Sequence, residues 1–146
     1  MKNKLVTHPI LVVEDDSEDR ELLIQLLTQV ISNCEIIGVA NGQEAIHYLE
    51  TTPQLPSLVL LDIYMPLKNG FEVIKEVKSN PALRTIPIIA LTSSSVDKDI
   101  VRSYNLGVNA YLIKPSTEEG LHQLVQTIHT YWITNVKGPV YRRNLY

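Results

Sequence analysis

Four short apolar runs in this chain each end at a polar residue. The runs are I-L-V-V at 10–13, L-V-L-L at 58–61, I-I-A-L at 88–91 and A-Y-L-I at 110–113. Unbroken apolar runs of this length are typical of strands that are buried on both faces of a parallel sheet. The residues that follow the runs include carboxylates, a hydroxyl and a lysine. Because ligands bind outside the carboxyl ends of the strands in open parallel sheets, these residues are the first candidates for a functional site.

The segments between the runs predict one more strand and five helices. Residues 35–39, E-I-I-G-V, supply the further strand, and the other segments repeat apolar residues at helical spacing. The predicted helices cover about residues 17–31, 42–50, 70–78, 95–104 and 116–132. In the fourth helix, the periodic apolar residues are Val96, Ile100 and Tyr104. Strands that alternate with helices predict a doubly wound α/β fold, with right-handed crossovers and helices on both faces of a parallel sheet.

The composition fits a single domain and excludes several classes of partner. The chain has 146 residues, and its 13 basic and 16 acidic residues give a formal net charge of −3, which argues against non-specific binding to nucleic acid or anionic membrane. No apolar stretch approaches the ~20 residues that span a bilayer, and the first apolar run is too short for a signal peptide. The one cysteine, Cys34, has no partner for an internal disulfide. We therefore expect a cytoplasmic protein.

Three acidic residues form the first chemical cluster. Glu14 and Asp15 follow the first strand and Asp62 follows the strand at 58–61, so the usual winding of such a sheet places them together. Close carboxylates repel one another and need a cation, and carboxylate oxygens are ligands that Mg²⁺ accepts. The sequence therefore predicts a Mg²⁺ site. The alternative for a single acidic residue here, Asp16 above all, is a helix cap.

Asp62 also has the properties of a nucleophile. It stands at the rim of the sheet, and a carboxylate can attack a phosphoryl group to form an aspartyl phosphate. The negative charge on the incoming group must then be offset by a metal and by fixed donors. Thr92 and Lys114, at the ends of neighbouring strands, are donors of the right kind. The alternative for Lys114, which precedes a proline, is an exposed turn residue.

Taken together, these segments resemble the receiver domains of two-component response regulators. The motifs are V-E-D-D at 13–16, L-D-I-Y-M-P at 61–66 followed by Gly70, L-T-S at 91–93 and Y-L-I-K-P at 111–115. They stand in the family's order and at its spacing. The resemblance implies a flavodoxin-like fold with five strands in the order 2-1-3-4-5 and five helices.

The extent of the resemblance also predicts the domain organisation. It covers residues 8–133, nearly the whole chain. We expect a receiver domain at 1–134 and a C-terminal tail at 135–146, with no output domain, so that the protein signals by contact with other proteins.

The resemblance assigns a role to each residue of the acidic cluster. Asp62 would be the phosphoacceptor. Asp15 would bind Mg²⁺ directly, and Glu14 would help to hold the metal and its waters. Asp62 itself and the backbone carbonyl of Tyr64 would complete the protein ligands.

Further roles fall at the ends of the last two strands. Lys114 would contact the phosphoryl oxygens, and its bond to Pro115 is typically cis in this family. Thr92 would turn toward the phosphoryl group and Tyr111 would follow by moving inward, which is the family's two-state switch. Tyr64 and Ser94 occupy the variable positions that tune the lifetime of the phosphate. We expect Tyr64 to shield it from water.

These observations predict a response regulator of a two-component system or phosphorelay and not a turnover enzyme. A phosphatase with a nucleophilic aspartate would need a second acid two residues later, where this chain has Tyr64. A flavodoxin-like nucleotide or flavin carrier would cradle phosphate after the first strand, where this chain has acidic residues. The remaining alternative is a degenerate receiver that acts as a binding scaffold without phosphorylation, and the complete set of site residues argues against it.

The expected partner is a sensor histidine kinase or a His-phosphotransfer protein. The Tyr131-Trp132 pair and the V-N-A-Y-L-I-K-P segment at 108–115 look most like stand-alone regulators of bacterial phytochrome kinases. Tyr104, Tyr111, Tyr131 and Trp132 fall on the face that family members use for dimers and partners. Tyr and Trp are favoured at interfaces. The alternative for Trp132 is packing at the edge of the core.

Overall fold

Strands and helices alternate along residues 8–135, which are the residues that the computed structural model describes. The strands are β1 (Ile10–Val13), β2 (Ile36–Val39), β3 (Leu58–Leu61), β4 (Ile88–Thr92) and β5 (Ala110–Ile113). The helices are α1 (Ser17–Val30), α2 (Gly42–Thr51), α3 (Gly70–Ser79), α4 (Asp97–Leu106) and α5 (Glu118–Ile128), and a π-helical segment (His129–Asn135) follows α5. All strand pairs are parallel and the order is β2-β1-β3-β4-β5, which confirms the predicted doubly wound fold.

Two helix boundaries differ from the predictions. α4 begins at Asp97 and not at 95, and the backbone N–H of its first flanking residue, Val96, is bonded to the Ser94 hydroxyl at 3.3 Å. α5 begins after Thr117, whose side chain accepts a hydrogen bond from the Gly120 N–H at 3.0 Å, and it passes into the π-helical segment at His129. The predicted tail at 135–146 lies outside the described residues, apart from its first residue.

The register of the sheet sets the position of the polar strand ends. Val13 pairs with Val39 on one side and with Leu61 on the other, so β1, β2 and β3 end level with one another. The hydrogen bond from the Asp62 N–H to the Val13 carbonyl, at 3.0 Å, continues this pairing one residue beyond the strands. The residues after β1 and β3 therefore leave the sheet side by side.

Two apolar layers enclose the sheet. Alternate residues of β1 and β3 point to opposite faces, and all eight are buried. One layer is formed mainly with α2 and α3, and the other with α1 and α5. α4 differs from the other helices, because its buried residues are the polar Asp99 and Ser103. No helix within residues 8–135 has the length and apolarity that crossing a membrane would require.

The start of α3 is pressed against the backbone that follows β3. The Gly70 N–H donates to the Ile63 carbonyl at 2.7 Å, and a Cβ at Gly70 would lie 2.6 Å from both the Asp62 carbonyl oxygen and the Ile63 Cα. Neither backbone atom can move independently of the site. Gly70 therefore permits the close approach that holds the loop after Asp62.

We expect the Gly70→Ala substitution to lower the free energy of unfolding by about 1–3 kcal/mol, the usual cost of overpacking a site that cannot relax. Gly38→Ala is the matched control, because the nearest atom to its Cβ, at 2.6 Å, is the flexible end of the Ile24 side chain. Urea unfolding of both variants measures the difference. If both variants lost the same free energy of unfolding, the backbone contact at Gly70 would be no more important than the side-chain contact at Gly38.

Candidate functional site

Three carboxylates meet at the carboxyl ends of β1 and β3. Glu14, Asp15 and Asp62 each offer an oxygen, and these oxygens all lie within 4.8 Å of one another. Glu14 is buried, Asp62 is half-buried and Asp15 is exposed. Three hard oxygen ligands that converge from one side suit a cation such as Mg²⁺, which keeps several waters in its shell. The donor set therefore fits the metal that the sequence predicts.

Glu14 is the deepest of the three acids, with 4% of its surface exposed. Burial, together with the nearby charge of Asp62, raises the pKa of its carboxyl to about 7, although the hydrogen bonds from Lys114 and from the Asp16 N–H act in the opposite direction. The Asp16 N–H donates to Glu14 Oε2 at 3.1 Å. The site thus resists a third negative charge in the absence of a metal.

Lys114, the residue directly after β5, supplies a positive charge to this cluster. Its ammonium group forms an ion pair with Glu14 and lies 3.6 Å from Asp19 Oδ2 in α1. The Lys114 side chain is 16% exposed, so it is not the exposed turn residue of the alternative interpretation. Burial alone would lower the pKa of Lys114, but the bond to Glu14 raises it above its ordinary value. The Lys114 N–H also donates to the Thr92 carbonyl at 2.7 Å, which ties β5 to the end of β4.

The predicted cis bond is wrong, because the Lys114–Pro115 peptide is trans, as is every peptide bond within residues 8–135. The two isomers of such a bond differ by only about 0.5–1 kcal/mol, so the local sequence does not decide between them.

Thr92 and Tyr111 stand on the other side of Asp62 from the β1 acids. Thr92 is the last residue of β4 and is buried. The Tyr111 hydroxyl donates to the Ser94 carbonyl at 2.8 Å, which places the aromatic ring beside the loop that follows Thr92. The charge of Asp62 contributes to raising the pKa of Tyr111, after the larger effect of burial. The predicted switch residues therefore flank the acidic cluster.

Asp99 in α4 is a functional candidate that the apolar pattern of the sequence does not predict. Its Oδ2 accepts hydrogen bonds from the Tyr64 hydroxyl and from the Ser94 hydroxyl, both at 2.7 Å. The apolar periodicity of α4 pointed to Val96 and Tyr104, but both are about half exposed while Asp99 is buried. The available signal was the i, i+4 spacing of Asp99 and Ser103, which puts two polar residues on the inner face.

The predicted partner face is only partly open to solvent. Tyr104 is 49% exposed and Tyr131 is 55% exposed, and the exposed Val101 and Ile113 lie on α4 and β5 nearby. Trp132 lies in the π-helical segment, where it is partly buried against the α1–α5 layer and its ring meets that of Tyr131 edge to face. Edge-of-core packing therefore accounts for part of the Trp132 surface.

Known proteins resemble this chain over most of its length. The chain matches the family described as response regulator receiver domain over residues 10–126. Response regulator Rcp1 from Synechocystis sp. is 38% identical over 136 residues, which are 89% of this chain and 92% of that protein. The crystal structure of Mn²⁺-bound Rcp1 has a TM-score of 0.84 and 36% identity, and the match covers 91% of this chain and 99% of that one. The crystal structure of phosphorylated RcpA, a cyanobacterial phytochrome response regulator, has a TM-score of 0.86 and 35% identity, with 92% and 99% covered.

Because the carboxylates at the site repel one another, removing one of them should stabilise the metal-free protein and weaken metal binding. Without divalent metal, Asp15→Asn should raise the free energy of unfolding by up to about 1 kcal/mol, because it removes repulsion at a partly solvated site. Adding Mg²⁺ should stabilise the parent protein but not this variant, since a ligand bound by the folded state alone shifts unfolding.

Asp16→Asn is the matched control for this experiment. Asp16 caps α1 by accepting from the Asp19 N–H at 2.9 Å, and asparagine caps equally well. Urea unfolding with and without Mg²⁺ measures both effects. Equal responses to Mg²⁺ in the two variants would contradict a metal site at Asp15.

Proposed function

The chain belongs to the family of response regulator receiver domains, and from this premise we propose that Asp62 is the residue that accepts the phosphoryl group. Members of this family act in two-component signalling. The observation that carries the proposal is the convergence of Glu14, Asp15 and Asp62, with oxygens within 4.8 Å of one another. Of the three acids, Asp62 follows the middle strand, so it has the β1 acids on one side and Thr92 on the other.

We propose that the acidic cluster holds Mg²⁺. Asp15 and Asp62 would bind the ion directly, the Tyr64 carbonyl would add a third ligand, and Glu14 would hold bound waters. The relative Rcp1 has been crystallised in a form that binds Mn²⁺, a divalent cation of the same ligand preference. When bound, the ion would supply positive charge that offsets the charges of the three carboxylates and of an approaching phosphoryl group.

The Asp62 carboxylate is the nucleophile in the proposed reaction. One of its oxygens forms a bond to phosphorus while the bond from phosphorus to the donor's leaving group breaks, which produces an acyl phosphate. The Lys114 ammonium lies close enough to Asp62 for the negative charge of Asp62 to help raise the pKa of Lys114. We infer that Lys114 exchanges its bond with Glu14 for one with the new phosphoryl oxygens, and that the Thr92 hydroxyl supplies a second donor.

The proposed switch runs through the loop between β4 and α4. When Thr92 turns toward the phosphoryl group, the loop that contains Ser94 moves with it. Tyr111 is bonded to the Ser94 carbonyl, so its ring follows the loop. Such a local charge event changes the surface formed by α4, β5 and α5.

We infer that this surface, which includes Tyr104 and Tyr131, binds a partner protein or a second copy of the chain. A sensor histidine kinase or a His-phosphotransfer protein would supply the phosphoryl group. The similar protein RcpA is a phytochrome response regulator, which supports a phytochrome-type kinase as the partner. We expect residues 1–134 to act as the receiver domain, in the cytoplasm. No turnover of small phosphate esters is proposed, since Tyr64 occupies the position where such enzymes need a second acid.

Incubation with acetyl phosphate and Mg²⁺ should add one phosphoryl group to the protein, as measured by intact mass. The Asp62→Asn variant should show no gain, and neither should the parent protein with a chelator. Phosphoramidate serves as a second donor of different size. A parent protein that gains no mass from either donor, while it remains folded, would contradict the proposal and favour the degenerate scaffold.

A further inference from the structure

Asp99 makes an unusual pair of contacts for an acidic residue in the first turn of a helix. It is 8% exposed, and its Oδ2 accepts from the hydroxyls of Tyr64 and Ser94 at 2.7 Å each. These two residues stand two positions after Asp62 and two positions after Thr92. One carboxylate oxygen therefore joins the two loops that border the proposed phosphorylation site.

The ring of Tyr64 is fixed at both ends. Its backbone follows β3, whereas its hydroxyl reaches Asp99 in the helix that follows β4. The ring edge meets buried Phe71 with centroids 6.2 Å apart, and the Arg102 guanidinium lies 4.0 Å from the Phe71 centroid. Asp99 and Arg102 lie on adjacent turns of α4, so this helix holds both the phenol and the ring on which it rests.

Ser94 extends the contact to the switch. Its hydroxyl donates to Asp99, its carbonyl accepts from the Tyr111 hydroxyl at 2.8 Å, and the Tyr111 N–H donates to the Tyr104 hydroxyl at 3.1 Å. The N-cap residue of α4, Val96, makes no side-chain capping bond. The bond from Ser94 to Asp99 therefore attaches the first turn of α4 to the loop that follows β4. Tyr64, Ser94 and Tyr111 are thus connected through Asp99.

We propose that Asp99 is a positioning residue that holds the Tyr64 side chain across the ends of β3 and β4, and so slows hydrolysis of the phosphoryl group on Asp62. The inference rests on the proposed function of Asp62. Hydrolysis requires a water oxygen to bond to phosphorus as the bond from phosphorus to the Asp62 oxygen breaks, releasing inorganic phosphate and restoring the carboxylate. A Tyr64 side chain that spans the two strand ends obstructs the approach of that water.

The hydrogen bonds favour this arrangement over a freely rotating phenol. The bonds from Ser94 and Tyr64 hold the pKa of Asp99 below its ordinary value, and the bond to Asp99 raises the pKa of Tyr64. Asp99 is thus a charged acceptor and Tyr64 a neutral donor near pH 7, and a charged partner strengthens a hydrogen bond. Tyr64 is 57% exposed, so without Asp99 its ring would be restrained mainly by the edge contact with Phe71.

The test compares rates of phosphate loss in Asp99→Ala, Tyr64→Phe and the double variant. Each protein is phosphorylated with acetyl phosphate and Mg²⁺, the donor is removed, and the decay of the phosphorylated mass is followed. We expect each phosphorylated single variant to lose its phosphoryl group about fivefold faster than the parent does. This factor corresponds to the free energy of one ordinary hydrogen bond. The double variant should decay no faster than the singles, because both remove the same contact.

Asp97→Ala is the matched control, since Asp97 also lies in the first turn of α4 but is exposed. It should decay like the parent protein, which separates the contact from a general effect of charge at the helix start. Asp99→Asn keeps an acceptor and should lie between Asp99→Ala and the parent. It also provides a test if the alanine variant fails to fold.

Each outcome decides the question. Single variants that decay at the parent rate, or whose effects multiply in the double variant, would overturn the positioning role while leaving Asp62 as phosphoacceptor. A parent protein that never gains a phosphoryl group would instead contradict the proposed function. Faster decay in both single variants, without a further increase in the double, would establish Asp99 as the residue that holds Tyr64.

Discussion

The level pairing of β1 with β3 is the constraint on which the site depends. Val13 lies opposite Leu61, so the chain must place Glu14 and Asp15 beside Asp62 wherever the sheet forms. Every residue of the two strands is buried, and each buried aliphatic side chain contributes roughly 1.5–3 kcal/mol to folding. That apolar burial holds three carboxylates together against their repulsion. A site that attracts cations is therefore a consequence of the register of the core.

Lys114 acts as the internal counter-ion of this crowded site. Its bond with Glu14 joins β5 to β1 across the sheet edge, although two other strands lie between them in the sheet order. Removing one partner of such a buried pair would leave an uncompensated charge. The same bond is the one that the proposed chemistry must exchange when a phosphoryl group arrives. The resting ion pair and the phosphorylated site thus compete for one ammonium group.

The strands and the acidic cluster could be predicted from the sequence because both follow from unbroken apolar runs and from the polar residues directly after them. The inner face of α4 could not, since Asp99 and Ser103 are polar and the apolar periodicity points elsewhere. The trans bond before Pro115 and the contact between Lys114 and Glu14 also depend on tertiary packing. Asp99, Lys114 and Pro115 are positioned by contacts with other elements of the fold, and local sequence carries little information about such contacts.

α4 is attached to the fold differently from the other helices, and this difference suits a switch. The helices α1, α2, α3 and α5 bury aliphatic or aromatic side chains, whereas α4 buries Asp99 and Ser103. A hydrogen bond adds a net of about 1 kcal/mol, less than a buried aliphatic side chain does, so the fully buried residues of α4 hold it less strongly than those of the other helices do. It also carries Tyr104, which bonds the Tyr111 N–H and stands half exposed on the proposed partner face. A change at Asp62 that reaches Ser94 therefore acts on a helix whose buried contacts are mainly polar, and on the surface that this helix presents.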